Sequence, residues 1–360
     1  MKDTRRVAVL WEHLAGYVQA SLRAVAALDR TELLVVQRSR EPHAAFARRL
    51  GESCEVIDLA DANGGSPIDL VARVRAFAPD VTLVTANADP RYESVARANH
   101  EDGRITVWGS DVPPRSWWRD SYGMARGRLG ALRPYDAAFV PGRAGRDYAR
   151  RIGFAEPRIF EGLYACDTDL FRPIGASRHT PGSGSNWPGV FLFAGQFIPR
   201  KGLDTLLAAY RRYRQDRAAP WELWCVGAGP LRSTLDGQTG VRVLDFLPPP
   251  ELAHVMAQAG AFVLPSRIDH WGVVIHEAAC AGLPIIASRT AYASLDLVRE
   301  GWNGHTFPAG DAARLAQLLA ICAGENAART MGERSVEMSR RFDPAVFAQV
   351  LTERIPRMPG

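Results

Sequence analysis

An acid in a loop and an acid on a nearby helix can face one ligand, and Asp269 and Glu277, eight positions apart, have that spacing. The stretch PSRIDHWGVVIHEAACAGLPIIAS, Pro265–Ser288, follows an apolar strand ending at Leu264 and carries Asp269 ahead of a helix that starts near Gly272 or Val273. The first backbone N–H groups of such a helix lack partners and sit at the positive end of its dipole, which suits a phosphate. Those around Gly272, Val273 and Val274 are the candidates. Glu277 falls in the first turns, among Ala278, Ala279 and Ala281, a poor setting for a purely structural acid; a cap or salt bridge is the competing reading. The second signal is a lysine. Of 44 basic residues only Lys2 and Lys201 are lysines, and all the others are arginine. A GC-rich genome explains that bias better than any function does, so an interior lysine that escapes it reads as a required point charge.

The elements around these residues alternate. Strands are predicted at Arg6–Trp11, Leu33–Gln37, Cys54–Leu59, Val81–Thr85, Ile105–Trp108 and Ala137–Val140, with helices at Tyr17–Leu28, Pro42–Leu50, Ile68–Phe77 and Arg143–Ile152. The alternation restarts with strands at Val190–Gly195, Glu222–Val226, Val241–Asp245, Ala261–Leu264 and Pro284–Ala287. Its helices are Leu203–Asp216, Glu251–Gln258, Val273–Ala281 and Ala312–Cys322, and the tail Asp343–Ile355 makes one more. Continuous apolar strands separated by helices mean parallel sheets covered on both faces. Between the halves, RPIGASRHTPGSGSNWPG (Arg172–Gly189) reads as a linker. The expected domains are therefore 1–172, a linker 173–189, 190–342, and a C-terminal helix 343–360 packing back on the first domain.

Composition sets outer limits. The chain has 360 residues, 47% apolar and 23% charged, which suits two globular domains and excludes a disordered or disulfide-scaffold protein. A net charge of +5, spread over both halves, is too weak and diffuse a field for a nucleic-acid binder. Five scattered cysteines without a C-x-x-C read as reduced thiols. With no signal-peptide pattern and no long apolar run, the expected location is the cytoplasm, with peripheral attachment to the inner face of the membrane as a further expectation.

Three further segments stand in order around the acids. They are GQFIPRKG (Gly195–Gly202), VGAGPL (Val226–Leu231) and VREGWNGHTFPAGD (Val298–Asp311). With Asp269-x7-Glu277 followed by Gly282-Leu283-Pro284, the set resembles the retaining glycosyltransferase family 4, whose signature is E-x7-E. The motifs cover Gly142–Asp311, and the first 140 residues agree in topology alone. The resemblance implies the α/β GT-B fold, two doubly wound Rossmann-like domains facing a central cleft. It implies acceptor binding by the first domain and nucleotide-sugar binding by the second.

Carried over by residue, the resemblance makes Lys201, Asp269 and Glu277 the catalytic set. Lys201 holds the donor diphosphate, Glu277 accepts from the ribose hydroxyls, and Asp269 hydrogen-bonds the donor sugar beside Trp271 and Gly272. Gly195, Gln196, Arg200, Gly227, Val273 and Val274 complete the donor site. The family's arginine after the first glycine is Gln196 here, with Arg200 as the compensating cation, and its first acid is shortened to Asp269. No metal and no cofactor are implied beyond the nucleotide-diphosphate sugar as co-substrate. The D-x-D of Asp167 and Asp169 reads as part of a structural segment ending at Phe171.

For the acceptor the candidates are His13 and Gly16, after the first strand, and Asp111, after the fifth, where many relatives have a histidine. His13 reads equally well as a solvated loop residue. Trp117 and Trp118 stand among Arg115, Arg119, Arg126 and Arg128, and Arg143, Arg146, Arg150 and Arg151 fall on one side of a helix. These fit an anionic membrane surface, or a solvated arginine face over core tryptophans. The leading expectation is a retaining hexosyltransferase acting on a glycan or lipid-linked acceptor, in bacterial polysaccharide or lipopolysaccharide synthesis. Its competitors are another GT-B nucleotide-sugar enzyme, such as an epimerase or phosphorylase, and a non-catalytic two-lobed sugar-binding protein.

Overall fold

The structure is a computed structural model that describes residues 4–38, 50, 54–59, 69–85, 89–111, 124–125, 127–178, 187–215 and 217–358. It divides into two units, Met1–Cys166 with Phe342–Gly360, and Asp167–Arg341. Each is built on one parallel sheet.

In the first unit the strands are β1 (Arg5–Trp11), β2 (Thr31–Gln37), β3 (Cys54–Asp58), β4 (Val81–Thr85), β5 (Ile105–Gly109), β6 (Ala137–Val140) and β7 (Ile159–Glu161). They lie in the order β3-β2-β1-β4-β5-β6-β7, so the order reverses between β1 and β4. β1 shows why the sheet is buried on both sides. Val7, Val9 and Trp11 join the apolar cluster beneath the helix Gly16–Ala26, while Ala8 and Leu10 join the one under Leu70–Phe77 and Pro90–Glu101. Alternate side chains of a strand point to opposite faces, so a double-sided core needs an unbroken apolar run.

The tail completes this unit. Its helix, Pro344–Gln349, is capped by the Asp343 side chain and followed by a wider turn over Val350–Arg354. Phe347 packs on Phe139 with ring centroids 5.2 Å apart, and Val350, Leu351 and Ile355 fill the same cluster.

The second unit contains β8 (Val190–Ala194), β9 (Glu222–Val226), β10 (Val241–Leu244), β11 (Ala261–Leu264), β12 (Ile285–Ser288) and β13 (Gly304–Phe307). Their order is β10-β9-β8-β11-β12-β13, with the reversal between β8 and β11. Ligands of such sheets bind beyond the carboxyl ends of the strands at this switch point.

Several expectations need correction. Arg172–Arg178, read as the start of a linker, is helical: the helix Thr168–Arg178 contains Pro173 in its interior. Gly175 explains its persistence, because a Cβ there would stand 2.3 Å from the Cys280 carbonyl oxygen. The helix thus docks tightly on Val273–Cys280 through a residue with no side chain. Strands β7 and β13 and the helices Pro90–Glu101 and Glu325–Ser339 have no counterpart in the sequence reading. The helix expected at Pro42–Leu50 lies, apart from residue 50, outside the described residues. None of the five cysteines is joined in a disulfide, and among the described residues no helix is long and apolar enough to cross a membrane.

Candidate functional site

The switch point of the second sheet gathers most of the residues singled out above. After β8 the chain passes Gly195 and exposed Gln196, makes a tight turn over Pro199–Lys201, and enters the helix Leu203–Gln215 through Gly202. Gly202 has φ 69°, and a Cβ on it would lie 2.2 Å from the Pro265 carbonyl oxygen. Only glycine allows the turn to press that closely on the exit of β11. The result is that Lys201 is directed inward, where its ammonium meets the Asp269 carboxylate; each residue is 8% exposed.

Asp269 is fixed from several directions. Its amide donates to the Thr290 carbonyl (2.9 Å), and its carbonyl accepts from the Tyr292 amide (3.2 Å). The Ser266 hydroxyl approaches the same carboxylate oxygen that binds Lys201, at 3.5 Å, and the Thr290 hydroxyl donates to the Ser266 carbonyl at 2.8 Å. Arg200 stays exposed, with its guanidinium 3.9 Å from the other carboxylate oxygen. Its carbonyl accepts from the Arg267 amide at 2.7 Å, which ties the two loops together.

Two glycines close the space around the pair. A Cβ on Gly195 would be 3.7 Å from the Lys201 Cε, and one on Gly272 would be 3.6 Å from the Asp269 Cγ. Gly227, at the end of β9, sits against the Gly195 carbonyl oxygen, where a Cβ would come within 2.0 Å. Trp271 is 3% exposed and its carbonyl accepts from the Ala293 amide, so its ring supports the loop from inside.

The helix Val273–Cys280 begins at Gly272 with no side-chain cap. Its first N–H groups, on Val273 and Val274, have no carbonyl within the helix to receive them, and the dipole adds positive potential there. Glu277 lies one turn further on. Desolvation pushes its carboxyl up to about 7; the neighbouring His276 opposes that shift, and Cys280 and Asp167 add to it. His276 is fully buried and its Nε2 donates to the Ser339 carbonyl at 2.8 Å, which makes it a structural tie. Asn303, in the VREGWNGHTFPAGD segment, is structural too: its amide bonds the Leu297 carbonyl and the Arg299 amide.

The remaining candidates belong to the other unit. His13 is partly exposed, 3.7 Å from Glu12, and Gly16 opens the helix Gly16–Ala26. Asp111 hydrogen-bonds Tyr164, which also bonds Tyr17; neither tyrosine is suggested by any motif. Trp117, Trp118, Arg115, Arg119 and Arg126 lie outside the described residues, as does the side chain of Arg128. The basic helix Arg143–Ile152 is present, with Arg146 bound to Glu161 (2.7 Å), Glu156 (2.8 Å) and the Ile159 carbonyl (3.1 Å), and Arg150 to Asp147.

The family profile of group 1 glycosyl transferases matches residues 188–323, the span that contains every donor-site residue named above. The structure resembles that of Anabaena Alr3699/HepE in complex with UDP and glucose, with a TM-score of 0.70 over 97% of this chain and 99% of that one, at 18% identity. The fold is GT-B, and the second unit carries the group 1 glycosyl transferase match. Among curated relatives, the chain is 29% identical to the D-inositol 3-phosphate glycosyltransferase of Frankia alni over 70% of either chain. It is 27% identical to an exopolysaccharide phosphotransferase of Streptomyces coelicolor but spans only 18% of that protein's length.

Proposed function

We propose that the chain is a retaining hexosyltransferase that moves a sugar from a nucleoside diphosphate sugar to a glycan or lipid-linked acceptor of the bacterial cell surface. The observation that carries the reading is the Lys201–Asp269 pair beside an uncapped helix start at the switch point of the second sheet. The UDP and glucose in the Anabaena complex support a nucleotide-sugar donor.

In this reading the donor's diphosphate lies against Lys201 and the N–H groups of Val273 and Val274. As the bond from the anomeric carbon to the diphosphate oxygen breaks, negative charge grows on the leaving group where those positive groups already stand. The acceptor hydroxyl attacks the anomeric carbon from the same face, and its proton passes to the leaving phosphate. No covalent protein nucleophile is needed. Glu277, ionised, accepts from the ribose hydroxyls. Lys201 and the helix start fill the role of a cation, so the reaction proceeds without metal.

The test is a thermal-unfolding screen against nucleoside diphosphates and their sugars, followed by anomeric analysis of the product. Stabilisation by one nucleoside diphosphate and a product with the donor's anomeric configuration support the reading. An inverted product, or no stabilisation by any member, rejects it. For a lipid-linked acceptor the same proposal includes binding to vesicles containing anionic lipid, weakened by salt. Equal binding to neutral vesicles removes that part.

A further inference from the structure

The acid loop of the second unit is strapped to the loop beside it. Strands β11 and β12 pair as far as Leu264 opposite Ala287, and one further bridge joins Asp269 to Ala291. Between these two pairings the acid side advances five residues and its neighbour four. An extra residue on one side of a pairing bends that strand and re-aims its side chains, as a β-bulge does. Ser266 lies within this longer side. Its carbonyl accepts from two hydroxyls at the end of β12 and just beyond, Ser288 at 2.5 Å and Thr290 at 2.8 Å. The Ser288 carbonyl accepts in turn from the Ser294 hydroxyl at 3.0 Å. Ser266, Ser288 and Ser294 are all fully buried.

We propose that Ser266 is a positioning residue of the donor site, whose hydroxyl holds the Asp269 carboxylate in place while Lys201 turns to the donor's diphosphate. The inference deepens the glycosyltransferase reading above and rests on it. Two features carry it. The first is what the hydroxyl binds. A buried hydroxyl without a partner is costly, and an alanine at this position avoids that cost. Among the described residues the one partner of the Ser266 hydroxyl is the Asp269 oxygen that also meets Lys201. At 3.5 Å the bond is long. Hydrogen bonds of an active site are often long until the substrate completes it, and then they tighten.

The second feature is that the acid has two independent anchors. Lys201 is set by the turn Pro199–Lys201 after β8, whereas Ser266 is set by hydroxyls that arrive from β12. A carbonyl oxygen has two lone pairs, and here a hydroxyl takes each of them. The Ser266 peptide group is therefore fixed, and its side chain stays aimed at the acid. An ammonium has three N–H donors, so a diphosphate beside Lys201 shares it with Asp269 and draws it away. A carboxylate held by that lysine alone swings with it. With Ser266 on the same oxygen, Asp269 keeps its direction as the lysine moves. The backbone strap from Thr290, Tyr292 and Ala293 holds the main chain of the loop, and Ser266 extends that hold to the carboxylate.

The experiment titrates the full chain with two pairs of probes, UDP with UDP-glucose and GDP with GDP-mannose. The wild type is expected to bind one pair. Ser266→Ala then weakens the nucleotide sugar of that pair by roughly threefold to tenfold, the worth of one hydrogen bond, and leaves the nucleoside diphosphate unchanged. Thr290→Val shifts the same affinity in the same direction by less, because Ser288 still holds the Ser266 carbonyl, and Thr290→Ser binds like the wild type. A general loss of structure weakens both members of a pair alike and is not rescued by serine. If Ser266→Ala binds both members like the wild type, or loses both alike, the positioning role is wrong and the donor reading stands. If the wild type binds neither pair, the donor reading fails and the inference falls with it. If Ser266→Ala does not fold, Thr290→Val against Thr290→Ser decides, and equal affinity of those two for the nucleotide sugar overturns the role.

Discussion

The Lys201 ammonium and the Asp269 carboxylate meet with 10% and 11% of their side-chain surfaces exposed. Two charges so far from water hold each other in place, and removing one leaves the other uncompensated. Asp269→Ala is expected to cost about 3 kcal/mol of unfolding free energy, read from urea titrations. Lys201→Ala costs less, since Ser266 and Arg200 remain beside the acid. Its effect on transfer is larger, a drop of about a hundredfold, and Lys201→Arg does not rescue it because a planar fork does not replace a compact ammonium. Wild-type rates in either folded lysine variant contradict the assignment.

Glu277 gives a pH signature. Its folded pKa, about 7, lies above the ordinary value of 4.5, so the folded state holds this proton more tightly than the unfolded one. The associated stability is complete below pH 4.5 and is lost as pH rises towards 7. Glu277→Gln is then expected to be more stable than the wild type at pH 8, by up to roughly 3 kcal/mol, and equal to it at pH 4. Nucleoside diphosphate affinity runs the other way. It needs the ionised acid, so it rises from pH 6 to 8 in the wild type and stays flat in the variant. Parallel pH profiles for the two proteins refute this.

Gly202 is a structural test of the same site. Alanine there demands a left-handed backbone and puts a methyl group against the Pro265 carbonyl, so the Pro199–Lys201 turn must move. Gly202→Ala is expected to destabilise the fold by about 1–3 kcal/mol and to weaken UDP binding, both measurable by calorimetry. Retention of full affinity for UDP shows that the turn does not set the lysine.

Transfer is expected to survive EDTA. Loss of activity in chelator, with recovery on adding manganese or magnesium, assigns the diphosphate charge to a cation and overturns the role given to Lys201 and the helix start.

What the sequence reveals depends on how far the information travels along the chain. Lys201, Asp269 and Glu277 stand in local patterns, a turn closed by glycine and a strand-loop-helix unit, so their positions are readable locally, while their grouping into one donor site comes from the family resemblance. Tyr164 is different. It reaches β1 only because a three-residue edge strand turns the chain back across the sheet, and no local periodicity encodes that return. The linker reading of Arg172–Arg178 fails for a related reason. Pro173 and Gly175 signal a break in isolation, yet the close fit of Gly175 on Cys280 is a tertiary contact that overrides the local preference. The helix Pro90–Glu101 is missed although Tyr92, Val95, Ala96 and Asn99 stand at helical spacing, because a stripe holding an alanine and an asparagine carries a weak apolar signal. The place of Asp269 in the loop after β11 is legible from spacing, but its ion pair with Lys201, 68 positions away, is not.

Arg178 and Trp187 bracket the stretch 179–186, and the guanidinium lies 4.8 Å from the centre of the indole ring. Arg178 also donates to the carbonyls of Met256, Ala257 and Ala259, and the Trp187 indole N–H donates to the Gly260 carbonyl. Both ends of the stretch are therefore riveted to one patch of the second unit. With the two ends held side by side, each doubling of the length of chain between them costs only about 0.6 kcal/mol of closure entropy. This makes 179–186 the natural port for grafting: an epitope, a reporter domain or a protease site inserted there should leave the donor half of the molecule intact, and a nick within it should leave the severed ends side by side.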